Sequence, residues 1–297
     1  MKPSLSSART HSRTVIATAA AILSMLAAWA PRKAHADSAD PDPSQAGSVL
    51  DRAVVDYETG PVFVVKNDHR YGADGTDFGV DDTLQQENLV IGKRISVEVG
   101  VGRHTAILLY APLDVTTRAT LTRDIQFRDT LFAEGTAVDH RYLFDGYRAS
   151  YLYRLFDTAL TVEAGGSLQI RNAKVAFTAV DGSAYSEQSD IGLVPVLKLR
   201  VRYQRCVGER SAYALLDADA LSTFGLVGDT EGGIYDVALA LGMPVTDRLD
   251  LVLRARGLGG GATVPAKEIE NWAHFLSFTV GVRFAFGDPH KMRASGG

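Results

Sequence analysis

The chain has 297 residues, 31 basic and 35 acidic, with 46% hydrophobic residues and one cysteine. One cysteine excludes a fold stapled by internal disulfides, and an acidic balance argues against nucleic acid, whose phosphates need basic surface. The length suffices for one large all-β domain.

The first 36 residues carry Lys2, Arg9 and Arg13, then the apolar run "VIATAAAILSMLAAWA", then "AHA" before Asp37. This order predicts a Sec-type secretory signal peptide cleaved after Ala36. The run is too short and too poorly flanked for a spanning helix, and Pro31 disfavours cleavage after Ala30. Removing residues 1–36 leaves 26 basic against 35 acidic residues, a balance of −9. Residues 37–59 are expected to be a flexible periplasmic leader, beginning with the polar, Pro-containing "DSADPDPSQAGS".

From there a period of two recurs, the signature of strands whose successive side chains leave opposite faces. It predicts about ten strands, within a range of 8–12, at 61–71, 89–100, 104–118, 141–156, 158–177, 190–204, 211–224, 234–246, 248–262 and 274–286. The last is the clearest: Leu276, Phe278, Val280, Val282, Phe284 and Phe286 alternate with Ser277, Thr279, Gly281, Arg283 and Ala285. Joins alternate between short ("VGR", "FD", "RCVGER") and long (such as "GADGTDFGVDDTLQQEN" and 119–140). A closed up-and-down transmembrane barrel has this rhythm, with short periplasmic turns and longer outer loops. A Greek-key sandwich has no reason for it. The barrel is expected over 60–287, with a short polar tail at 288–297.

The facing pattern decides which parity meets lipid. In 190–204, Lys198, Arg200 and Arg202 oppose Leu197, Leu199 and Val201. Three cations in a dry sandwich core are too costly, whereas a lumen can hydrate or pair them. The charged parity is therefore expected inside, as an ionic network of Arg94, Glu98, Arg148, Arg154, Glu163, Lys198, Arg200, Arg202, Asp217, Asp219, Asp236, Arg254, Arg256 and Arg283. Lys198 should lie nearly opposite Asp217. Such a barrel is little wider than one filled by its own side chains, so the network should plug or narrow it. Tyr147, Tyr151, Tyr153, Tyr203, Phe284 and Phe286 fit aromatic girdles.

Other chemistry is weakly signalled. Asp217 and Asp219 could divide acid and base work, but their cationic neighbourhood favours a structural role. His140 beside Asp139, or His274 near Ser277, could serve a hydrolase at the rim; the plainer expectation is two hydrated loop histidines. The run Gly257–Gly261 lacks a following helix and is expected to kink the sheet. The acidic loop Gly72–Asp82 lacks EF-hand spacing. No catalytic residue, metal or cofactor is expected.

The signal peptide, the alternating strands, the long and short joins and the aromatic-ended "VGVRFAF" resemble small Gram-negative outer-membrane barrels of the OmpA and OmpW kind, across nearly all of 60–286. "LLYAPL", "YLFDGYRASYLYRL" and "LLDADAL" look like a family of uncharacterised bacterial barrel proteins, which supplies no catalytic residues. The resemblance implies residence in the outer membrane, with lipids, periplasmic chaperones and the barrel-assembly machinery as partners. The tail "GDPHKMRASGG" departs from barrels that end at the terminal Phe. Three functions follow as expectations: a non-enzymatic barrel with a structural or loop-binding role, a narrow channel for small or apolar solutes needing a lateral or axial gap, or an outer-membrane hydrolase.

Overall fold

Alternating side chains make long strands, and long strands whose inner faces are polar close on themselves to satisfy their edges. The computed structural model describes residues 51–85, 89–207, 210–224, 226 and 228–286. The signal peptide, most of the expected leader and the tail lie outside these. The strands are β1 (Arg52–Tyr71), β2 (Val90–Val101), β3 (His104–Thr120), β4 (Ile125–Phe127), β5 (Thr130–Phe132), β6 (Ala137–Asp157), β7 (Leu160–Ala179), β8 (Tyr185–Val207), β9 (Arg210–Ser222), β10 (Glu231–Pro244), β11 (Leu249–Val264) and β12 (Ile269–Phe286). Ten of them form a closed antiparallel barrel in the order β1-β12-β11-β10-β9-β8-β7-β6-β3-β2.

Two boundaries differ from the sequence expectation. The barrel begins at Arg52, not near residue 60, because Ala53, Val55 and Tyr57 already alternate with Val54, Asp56 and Glu58. The stretch 119–140 is not simply a loop. It holds the small β4–β5 hairpin, and β6 starts within it at Ala137.

The two ends of the barrel have opposite polarity patterns. Along β3, Leu108 and Tyr110 face outward near the short-turn half, and Thr105 faces in. Further up the same strand Asp114, Thr116 and Arg118 face outward, while Leu113 and Val115 are buried inside. Strand β6 does the same. Tyr147, Tyr151 and Tyr153 are exposed outward low down, whereas Asp139 and Arg141 take that face above them. Outward ion pairs Arg141–Asp114 (2.7 Å), Arg118–Asp139 (2.7 Å) and Lys174–Glu187 (2.7 Å) decorate the upper wall.

The upper interior is an apolar cluster that includes Val64, Tyr71, Phe78, Leu113, Val115, Phe127, Phe132, Val138, Phe177 and Phe275. Phe78, beyond the end of β1, and Phe127 and Phe132 from the β4–β5 hairpin fold into it, so the long loops supply part of its packing. The upper interior is thus apolar, the reverse of the polar lumen below it.

Two ladders stop before that upper half. Pairing of β2 with β3 ends at Ile95↔Tyr110, and pairing of β8 with β9 ends at Leu197↔Ala220. Beyond these rungs β3 continues on β6, and β8 on β7. Above the closed portion the wall is therefore two sheets facing one another across the apolar cluster.

Candidate functional site

The lumen is where this sequence concentrates unusual chemistry. All fourteen expected charged residues lie on inward-facing strand positions, because each shares parity with the buried face of its strand. Their partners come from six or more strands, so no local stretch could complete the set.

Asp236 on β10 is the hub. Its carboxylate meets Arg256 at 2.6 Å, Arg94 at 2.8 Å and Arg148 at 3.1 Å. Glu58 on β1 reaches Arg94 at 3.0 Å, Arg256 at 2.9 Å and Arg254 at 3.0 Å. Asp219 accepts from Arg148 at 2.7 Å, Lys198 at 2.8 Å and the Ser167 hydroxyl at 2.5 Å. Toward the short-turn end, Glu98 meets Arg52 at 2.8 Å and Arg200 at 2.9 Å. There Glu163 approaches Arg200 at 3.5 Å, and Asp56 bonds Arg254 and lies 3.3 Å from Arg283. Arg154 pairs with Asp157 at 2.6 Å. Arg202 lies over the Tyr213 ring at 4.0 Å.

Apart from Asp157, each carboxylate of this tier serves two or more cations. Removing one charge from a buried pair leaves its partner stranded, at about 3–5 kcal/mol. The space left within the network is only about 90 Å³. The register also corrects one expectation: Lys198 stands opposite Asp219 and Arg200 opposite Asp217, although Lys198 Nζ reaches both carboxylates.

Besides Asp157 at the end of β6, three members of the network were missed by sequence reading: Arg52, Asp56 and Glu58. They fell within the expected leader, although their two-residue spacing beside Val55 and Tyr57 carried the signal.

Above the ionic tier lies a larger cavity of about 540 Å³. Arg94, Arg148, Arg256 and Asp236 line its floor, and Val62, Leu113, Tyr142 and Phe275 from the apolar cluster line its roof. Small residues open it. Gly92, Ala111, Gly146, Ala173 and Ala273, on five strands, line it where larger side chains would fill it. The barrel is thus charge-plugged low down and hollow above the plug.

The rim histidines are placed differently from one another. His140 is fully buried, not hydrated. Gln85 in the β1–β2 loop approaches its Nδ1 at 2.9 Å and accepts from Asn67 at 2.6 Å. This ties the loop into the mouth. His274 faces outward, stacked on Tyr235 with the phenol 2.9 Å from its Nδ1. It alternates in parity with Ser277. In the same β1–β2 loop Asp82 accepts two bonds from Arg123, at 3.0 Å each, and this raises the guanidinium pKa above its ordinary value.

Among the described residues there is no grouping of three or more His, Cys, Asp or Glu side chains that could hold a metal ion. No helix among them is long and apolar enough to cross a membrane, which says nothing of crossing by strands.

No protein-family model and no curated protein matches the sequence. Solved structures share a loose likeness. The outer membrane protease OmpT from Escherichia coli aligns over 81% of this chain and 99% of its own, at 9% identity and a TM-score of 0.43. Ail, the attachment invasion locus protein of Yersinia pestis, aligns over 79% and 99%, at 10% identity and 0.34. The Pseudomonas putida toluene transporter TodX aligns over 80% and 91%, at 9% identity and 0.31. The fold assignment stands on the strand ladder itself: this chain is an all-β, closed, ten-stranded antiparallel barrel.

Proposed function

We propose that the protein is an integral outer-membrane barrel with a non-conducting, charge-plugged lumen, acting by binding or as a structural element and not by catalysis. Its outward face supports membrane residence. Leu253, Leu276, Phe278, Val280 and Leu197 are exposed there, and an exposed apolar band of this kind is stable only against lipid. Tyr147, Tyr151, Tyr153, Tyr203, Phe284 and Phe286 are exposed on the same face and act as its aromatic anchors. The expected signal peptide, cleaved after Ala36, agrees with export and with insertion by the barrel-assembly machinery.

The observation that carries the non-conducting role is the shared coordination of Glu58, Asp219 and Asp236 by cations from facing strands. Arg94, Arg148, Lys198, Arg254 and Arg256 each already bond a carboxylate there, so an ion crossing would have to dissolve the plug. The protein, reconstituted in a planar bilayer, is expected to be silent, and to show a heat-dependent mobility shift on SDS gels. Steady single-channel steps from the wild type would reject the plug. A soluble protein with no mobility shift would reject the membrane assignment. The hydrolase alternative loses support from the burial of His140 and from the opposite facing of His274 and Ser277. The channel alternative draws on the upper cavity.

A further inference from the structure

We propose that the cavity above the ionic plug is a binding chamber for a small uncharged apolar molecule, reached from the membrane through the unzipped seam between β2 and β3. This rests on the outer-membrane reading above.

Size and composition come first. About 540 Å³ is within the range of small-molecule sites, and interiors rarely keep apolar voids of that size empty. Leu109, Leu113, Phe144, Val194, Leu221 and Leu258 supply apolar walls.

Charge then selects the ligand. The floor cations Arg94, Arg148 and Arg256 are all bonded to Glu58, Asp219 or Asp236. A charged guest resting on the floor would have to break one of these bonds or enter without a partner, and either is costly in a desolvated site. Arg171 of the wall already bonds Asp190, and Lys93 stands on the outward parity at the seam, away from the floor. An uncharged apolar guest needs neither.

The route follows from the ladder. Past Ile95↔Tyr110 the β2–β3 pairing ceases, and Pro112 has no N–H with which to resume it. Lys93 and Pro112 belong to the outward parity of their strands, yet both line the cavity together with inward-facing Gly92 and Ala111. The cavity therefore reaches the outer surface at this seam. On its β1–β2 side the outward rim carries the exposed apolar residues Phe63, Leu89 and Ile91, Leu89 by 67%, with Lys93 at the opening and Asp145 opposite Pro112. The apolar cluster fills the lumen above, so the wall is the less obstructed approach. The cavity also reaches Ser222, Thr223 and Leu226, at and past the end of β9, beside the seam between β8 and β9. Tethered-label adducts at Ser222 or Leu226 in place of Lys93 or Pro112 would move the route there.

The test uses the mature protein in lipid nanodiscs and two photolabels read by peptide mass spectrometry. The first is adamantane diazirine, compact and uncharged. Adducts are expected on outward Leu276 and Phe278 and also on inward Leu109, Ala111 or Val194. Ala111→Trp, which fills the chamber, should cut the inward adducts at Leu109 and Val194 at least tenfold and leave the outward ones unchanged. Adducts confined to the outward parity in the wild type would overturn the chamber. Absence of adducts on the outward band as well would instead reject membrane residence, the reading beneath it. The second label is a phospholipid with the diazirine at its acyl end, which cannot leave the bilayer. Its adducts on Leu109 or Ala111 are expected. If the free label marks those residues and the tethered one does not, the seam is not the route.

Discussion

Pro112 of β3 and Pro195 of β8 occupy matching positions in two separate seams. Each faces outward two residues beyond the last rung of its ladder, Ile95↔Tyr110 for one and Leu197↔Ala220 for the other. Proline removes a donor that a central strand needs. At these two points the closed barrel gives way to two facing sheets. The second seam also has an apolar border, since Ile191 and Phe224 are each 75% exposed. Hydrogen exchange should read the change directly. Alternate amides in Val90–Arg94 and in Ile191–Val196 are expected to exchange much faster than those in Ser96–Gly100 and Leu199–Tyr203. Uniform protection along β2 and β8 would mean that both ladders continue.

Asp236→Leu should be among the most damaging single changes in the lumen. It takes from Arg94, Arg148 and Arg256 one of the two carboxylates that each bonds, and leaves the buried tier one negative charge short. A loss of about 3–5 kcal/mol is expected from breaking a buried network on one side, read as a lower urea midpoint for unfolding in detergent micelles. A change below about 1 kcal/mol would mean that water enters the plug and screens it.

Gly242 and Tyr213 should show coupling. They are cross-strand partners on β10 and β9, and a Cβ at residue 242 would stand 2.1 Å from the Tyr213 ring. The ring covers a glycine where no other residue fits. Gly242→Ala is expected to cost about 1–3 kcal/mol by overpacking. In a Tyr213→Ala background the same change should cost far less, and additive losses in this cycle would refute the contact.

The lipid-facing assignment has a sharp positional consequence. Phe278→Arg places a cation in the outward apolar band and should cost about 2–4 kcal/mol if the site is near the bilayer centre. Thr120→Arg, on the polar upper wall, should be nearly neutral. Folding yields in lipid vesicles give the comparison. Equal tolerance at both sites would place the membrane elsewhere.

Gln85→Ala removes the amide that joins Asn67 to His140. Leaving buried polar groups without partners costs about 1–3 kcal/mol. The β1–β2 loop should then become more sensitive to limited proteolysis, while the heat-modifiable mobility of the barrel is retained. Unchanged cleavage would show that the packing of Phe78 and Val80 holds the loop without the latch.

The sequence by itself determined the barrel, its ten strands and the inward parity of the charges, because a period of two and the length of each join are local properties. Arg94, Lys198, Asp236 and Arg256 could be assigned to the lumen by counting along single strands. Their partners could not. Pairing Glu58 with Arg256, or Asp219 with Arg148, depends on closure and on register between strands distant in sequence. The leader boundary hid Asp56 and Glu58 for a simpler reason: the alternation there is short and begins beside a polar segment. Only the tertiary structure decided that Gly92, Ala111, Gly146, Ala173 and Ala273 line one space, and that β2 parts from β3. Small residues scattered over five strands leave no pattern along the chain, and their shared absence of bulk becomes a chamber only when the barrel brings them together.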